Sequence, residues 1–109
     1  MSKLILLTIL LFSINYSYSQ DADPCVGVTP DFTFEKFLAA GGIQFSNSTT
    51  FPDGAELTYH WSFGNDKTSE EENPFTTYTS EGKYTIVLLV SDDTGCSSKV
   101  EKEVEWSYK

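Results

Sequence analysis

His60 is the only histidine in the 109-residue chain, Cys25 and Cys96 are its only cysteines, and Glu70-Glu71-Glu72 is its densest acidic run. These are the side chains best able to do chemistry. As a general base, His60 would need a nucleophile and an orienting acid, and no nucleophile motif surrounds it. Zinc asks for clustered His and Cys ligands, yet neither cysteine has a CxxC partner. Paired carboxylates can hydrolyse glycosides, but three consecutive glutamates on a polar connection read as a solvated run. There is no phosphate-cradling glycine loop and no dinucleotide fingerprint. The sequence predicts no enzymatic activity, no catalytic residue and no resident cofactor.

The cysteines sit in a chain marked for export. Met1-Ser2-Lys3 is a short basic start, and Leu4 to Phe12 is an apolar run. A polar segment follows, with Ser17 and Ser19 suited to the −3 and −1 positions of a signal-peptidase site. The apolar run stops well short of the roughly 20 residues that span a bilayer. Residues 1–19 are therefore expected to leave as a signal peptide, with no membrane span remaining. The product is expected in the periplasm, on the cell surface or secreted. In an oxidising compartment the simplest reading of Cys25 and Cys96 is a disulfide, and the alternative is two separately buried thiols. Closing so long a loop would contribute about 4 kcal/mol through the unfolded chain.

Loss of Lys3 takes the formal charge from −9 to about −10, and every cation is a lysine. Phosphate recognition favours arginine forks and basic patches, so a nucleic-acid partner is not expected. Anionic lipid is disfavoured for the same reason. Acidity keeps a domain soluble and favours cationic partners or divalent ions.

The elements that would position any site are strands. Residues 20–30 carry two prolines and a glycine and are expected to be an irregular lead-in to a domain spanning 31–109. Phe32 and Phe34 alternate with polar residues as a first strand. Phe37 to Gly42 reads as a loop, Ile43 and Phe45 as a short second strand, and Phe51-Pro52-Asp53-Gly54 as a turn. Leu57, Tyr59, Trp61 and Phe63 mark a strong inner strand, which places His60 on its outer face. Lys67 to Asn73 reads as a charged connection. Lys83 to Val90 is the most apolar segment, apolar on both sides in its second half, as suits a strand covered on both faces. Val100, Val104 and Trp106 line a last strand whose Lys99, Glu101, Lys102, Glu103 and Glu105 read as an exposed face or protected edge. No window has a sustained helical period, so the fold class is an all-β antiparallel sandwich.

Three segments in order carry a resemblance: Trp61-Ser62-Phe63-Gly64-Asn65-Asp66, Asn73-Pro74-Phe75-Thr76-Thr77-Tyr78, and Gly82-Lys83-Tyr84-Thr85-Ile86-Val87-Leu88. Together they resemble the signature of PKD (polycystic kidney disease) domains, which runs Trp-Asp-Phe-Gly-Asp-Gly, Asn-Pro-x-His-x-Tyr, Gly-x-Tyr. The resemblance implies an Ig-like β-sandwich of about seven strands. It casts Trp61, Phe63, Gly64, Asn73, Pro74, Tyr78, Gly82 and Tyr84 as structural signature residues, with Trp61 between the sheets and both tyrosine hydroxyls tying loop backbone. Some members bind calcium through acidic loops. Here Ser62, Asn65, Asp66 and Thr76 depart from the pattern, which leaves only scattered candidates such as Asp66, Asp92 and Asp93 for calcium. The resemblance further implies a non-catalytic module meeting an extracellular protein or polysaccharide, or a structural spacer or remnant of a longer surface protein. Phe51, Phe75, Trp106 and Tyr108 are the candidate ligand contacts. Against that, Trp106 packing at the sandwich edge with a frayed Tyr108 is the plainer reading.

Overall fold

The computed structural model describes residues 23–108; the expected signal peptide and the first residues of the lead-in lie outside the described residues. Seven strands form: β1 (Phe32–Phe37), β2 (Gly42–Asn47), β3 (Leu57–Ser62), β4 (Thr68–Ser69), β5 (Phe75–Thr77), β6 (Gly82–Asp92) and β7 (Ser97–Trp106). They pair into a three-stranded sheet ordered β1-β2-β5 and a four-stranded sheet ordered β4-β3-β6-β7. All pairings are antiparallel. The described residues contain no helix long and apolar enough to cross a membrane.

Alternation along the strands builds the core. Phe32, Ile43 and Phe45 face inward from one sheet, and Trp61, Ile86, Leu88, Val90, Val104 and Trp106 from the other, all buried. Burying each such side chain contributes roughly 1.5–3 kcal/mol. Trp61 is the bridge between layers. Its ring lies 5.1 Å from Phe32 and 5.5 Å from Phe45 across the sandwich, and 6.1 Å from Phe63 along its own chain. Its indole Nε1 donates to the Glu71 carbonyl oxygen at 2.8 Å, which satisfies the one polar atom that burial would otherwise penalise.

A second aromatic group closes the far end. Tyr78 lies 4.4 Å from Tyr84 and 5.9 Å from Trp106, centroid to centroid. The Tyr78 hydroxyl donates to Phe63 O at 2.9 Å and the Tyr84 hydroxyl to Ser80 O at 2.6 Å. Both phenols thus tie loop backbone, as the resemblance implied.

The lead-in is irregular but anchored. Cys25 and Cys96 form a disulfide with Cα atoms 4.9 Å apart, the first of the two alternatives the sequence left open. Cys25 N donates to Ser98 Oγ, Ser97 N donates to Asp23 O, and Thr29 bridges Thr50. The N-terminal segment is therefore sewn to the start of β7.

Four expectations need correcting. Phe37 and Gly42, read as loop, end β1 and begin β2 as direct partners, so the turn between them is tighter than the Gly-Gly pair suggested. The Lys67–Asn73 connection contains β4, which pairs with the end of β3. The outer side of β6 is not covered by a further layer, because Val87 and Leu89 remain half-buried beside the alternating polar residues of β3 and β7. Finally, Lys102 does not share the exposed side of β7. It pairs with Ile86 on the inward side and carries its ammonium out past Phe32.

Candidate functional site

Each inward-facing signature residue is committed to the fold. Trp61, Phe63 and Tyr78 are buried, and Tyr84 packs against the core. Gly64 takes a left-handed φ of +77°, and a Cβ there would sit 3.0 Å from Thr85 O. Asp66 shares that conformation at φ 67°. It stands where the PKD signature carries a glycine, and a short polar side chain tolerates the left-handed region better than most. Asn65 stabilises the turn by accepting from Lys67 N and donating to Thr77 O. Asn73 accepts from Asn47 N at 2.7 Å, and Pro74 leads into β5 at a sheet edge, where its missing amide proton costs no ladder bond.

The groups able to do chemistry are not brought together. His60 points outward from β3, opposite Leu89. Glu70, Glu71 and Glu72 are all exposed just after β4. Asp92 pairs with Leu57 at one end of β3, whereas Asp66 follows the other end, so the calcium candidates are separated. Among the described residues, one group of three potential ligand atoms does approach closely: Cys25, Asp92 and Cys96. Its sulfurs are bonded to each other and are not thiolates. The Asp92 carboxylate instead accepts from the backbone N and hydroxyl of Thr94, which holds its pKa below the usual carboxylate value.

Of the four candidate ligand contacts, Trp106 must be withdrawn. It is fully buried, packed on Tyr78 and edge-on to Tyr108, so no ligand reaches it without unfolding the strand. Tyr108 is half exposed, but its hydroxyl donates to Tyr78 O and its amide to Glu81, so it is tied down rather than frayed. Phe51 is exposed on the β2–β3 connection, remote in sequence from other exposed rings. Phe75 is 43% exposed on the outer face of the three-stranded sheet.

The structure adds two residues beside Phe75 that the sequence reading missed. Strand parity places Phe37, 42% exposed, on the same outer face, because it pairs with Gly42 and Gly42 in turn pairs with Thr77. Gly42 leaves room for the Phe75 ring: a Cβ there would sit 2.6 Å from Phe75 Cζ and collide with the Thr76 carbonyl oxygen. Exposed Leu38 follows Phe37 in the turn. Gln44, which pairs with Phe75, donates its amide to Asn73 O at 2.9 Å and so pins the segment that presents the ring. The outcome is a flat apolar strip of two phenylalanines around a glycine, bordered by Glu35 and Thr77. A strip of this kind can stack or dock. It has no group placed to cleave a bond.

Comparison with known proteins agrees with this architecture. The family model described as PKD domain matches residues 27–107. Collagenase ColQ1 of Bacillus cereus (strain Q1) is 44% identical over 68 residues, covering 62% of this chain and 7% of that protein. The chain therefore spans less than a tenth of the length of that relative. The crystal structure of the PKD1 domain from the Vibrio cholerae metalloprotease PrtV superposes with a TM-score of 0.65 at 27% identity, covering 73% of this chain and 96% of the other. The PKD1 domain of Vibrio anguillarum Epp gives 0.64 at 26% identity, with coverages of 78% and 95%. A family match over most of the chain, two antiparallel sheets and an inward-facing Trp61 agree: the chain belongs to the PKD domain family.

Proposed function

We propose that this domain is a non-catalytic binding module of an exported protein, and that it holds an extracellular protein or polysaccharide on the outer face of its three-stranded sheet. The observation that carries the reading is the placement of Phe37 and Phe75 around Gly42. Exposed aromatic rings on a rigid sheet lose little conformational entropy on binding, and they stack on apolar sugar faces or anchor protein contacts. The other large aromatics of the sheets lie in or against the core, except Phe34, which is 39% exposed and turned to the inward side beside Phe45. Relatives named as a collagenase and a metalloprotease carry a stretch like this one as a small part of a long chain, which suits a targeting module. Export in this reading rests on the basic and apolar start of the sequence and on a disulfide that needs an oxidising compartment.

The test is depletion of the purified domain by insoluble polysaccharides and by fibrous collagen, compared with Phe75→Ala and Phe37→Ser. Retention that falls about tenfold in both variants, with melting curves showing them folded, supports the reading. Equal retention of all three proteins refutes it, and no retention on any matrix favours a spacer.

A further inference from the structure

Strand β3 is six residues long, but β4 covers only two of them, Trp61 and Ser62. Phe63 N donates to Lys67 O across the β3–β4 turn at 3.2 Å. Because backbone groups along a strand point alternately to its two sides, the N–H and C=O of Trp61, Tyr59 and Leu57 also point toward β4. Trp61 meets Ser69 there. Tyr59 and Leu57 meet no strand, because the chain leaves the edge after Ser69. It crosses toward the other sheet, where the Glu71 carbonyl takes the Trp61 indole proton and Asn73 takes the Asn47 amide proton. The open stretch from Leu57 to His60 lies in a groove of about 460 Å3, walled by Glu70 on one side and Leu89 and Ser91 on the other.

We propose that this open edge of β3 binds an extended basic peptide by strand addition, with the backbones of Leu57 and Tyr59 as its hydrogen-bonding partners. An uncovered strand edge is a template for another chain. Its surroundings select the charge of that chain. Glu56 precedes the open stretch, Glu70 lines it, and Glu71 and Glu72 follow, all exposed. Nearby cations are already committed: Lys67 donates to Thr77 Oγ1, and Lys99, two strands over, pairs with Glu101 at 3.2 Å. An acidic strand would be repelled, whereas lysines or arginines at alternate positions meet carboxylates at both ends. The side chains between them turn to the other face of the added strand, on the side of Leu57 and Tyr59. This edge belongs to the opposite sheet from the Phe37–Phe75 strip, so the two readings stand or fall separately.

The probe is a fluorescent peptide of alternating lysine and valine, titrated against the whole domain by anisotropy at low and high salt. An alternating glutamate–valine peptide is the control. A second probe carries N-methyl groups on alternate amides, which removes strand hydrogen bonds and keeps the charge. Strand addition predicts saturable binding of the lysine peptide, at least tenfold weaker with the N-methylated probe. It also predicts binding about fivefold weaker in the triple variant Glu70→Gln, Glu71→Gln, Glu72→Gln. Amide resonances of Leu57 and Tyr59 should shift and gain protection from exchange. Lack of binding, equal binding of both lysine peptides, or shifts that map to Phe37 and Phe75 would each overturn the proposal.

Discussion

Lys102 Nζ stands 2.9 Å from Asp31 Oδ1, joining the last strand of one sheet to the residue that leads into the first strand of the other. The same ammonium donates to Phe32 O at 2.6 Å and lies 4.9 Å from the centroid of the Phe32 ring. One cation thus closes the edge of the sandwich by three different interactions. Replacing Lys102 with Met keeps the apolar stem and removes the ammonium. The carbonyl bond alone is worth about 1 kcal/mol at a partly exposed site, so Lys102→Met should lower stability by that order in urea titration, and Lys102→Ala by more.

The hydrogen bond and charge of Lys102 hold the Asp31 pKa below its usual value, assisted by the Phe32 amide. Asp92 is held low in the same direction by Thr94. A carboxylate with a depressed folded-state pKa contributes stability above its unfolded pKa, near 4, and loses it as pH falls through the folded value. The melting temperature should therefore drop below about pH 4. Asp31→Asn should flatten that acid limb by lowering the neutral plateau toward the acid value, with little change below about pH 3.

At the alkaline end Tyr78 runs the opposite way. Burial raises its pKa well above that of a free phenol, and Tyr84 adds to the shift. A raised folded-state pKa gives stability that is complete below the unfolded value, near 10, and is lost as pH rises through the folded one. Tyr78→Phe loses the bond to Phe63 O, about 1–2 kcal/mol at pH 7. Relative to wild type it should then lose less between pH 10 and 12, as followed by near-UV circular dichroism.

The two tryptophans differ in their one polar atom. Trp61 Nε1 has the Glu71 carbonyl, whereas Trp106 Nε1 is buried with no hydrogen-bond partner among the described residues. Changing either to Phe opens a cavity, but at Trp106 the change also removes an unpaired donor. Denaturant midpoints should show Trp61→Phe as the costlier change by about 1–2 kcal/mol.

Gly42→Ala tests the strip directly through the fold. The added methyl meets the Thr76 carbonyl and the Phe75 ring, and backbone cannot give way as a flexible side chain would. Overpacking of this kind costs about 1–3 kcal/mol. It should also displace the Phe75 ring, visible as a change in its exposure to a fluorescence or NMR quencher.

The inward residues were legible because two regularities agreed on them. Period-two alternation put Leu57, Tyr59 and Trp61 on one side, and the large aromatics on that side had to be buried. The Cys25–Cys96 pairing was readable from the expected compartment rather than from the fold. Lys102 was misread because a charge is easily counted as exposed, whereas a lysine can run its stem along a ring and deliver only its tip to water. For Trp106 the plainer reading, packing within the sandwich, holds. The ligand-contact alternative stays open in the sequence because alternation does not tell whether the end of a last strand still lies under the opposite sheet. Two adjacent glycines signal a break and make Phe37 to Gly42 read as loop, and only the register shows one of them making room for Phe75. The open edge of β3 depends on where β4 stops, a matter of pairing that no local pattern records.

The claim that most needs testing is that the Phe37–Phe75 strip is the binding face. The most direct measurement is a pull-down of the folded domain on insoluble polysaccharide and fibrous collagen, with Phe75→Ala and Phe37→Ser alongside. The account predicts retention of the wild type on at least one matrix and about a tenfold loss in each folded variant. Retention that is unchanged in both variants would contradict it.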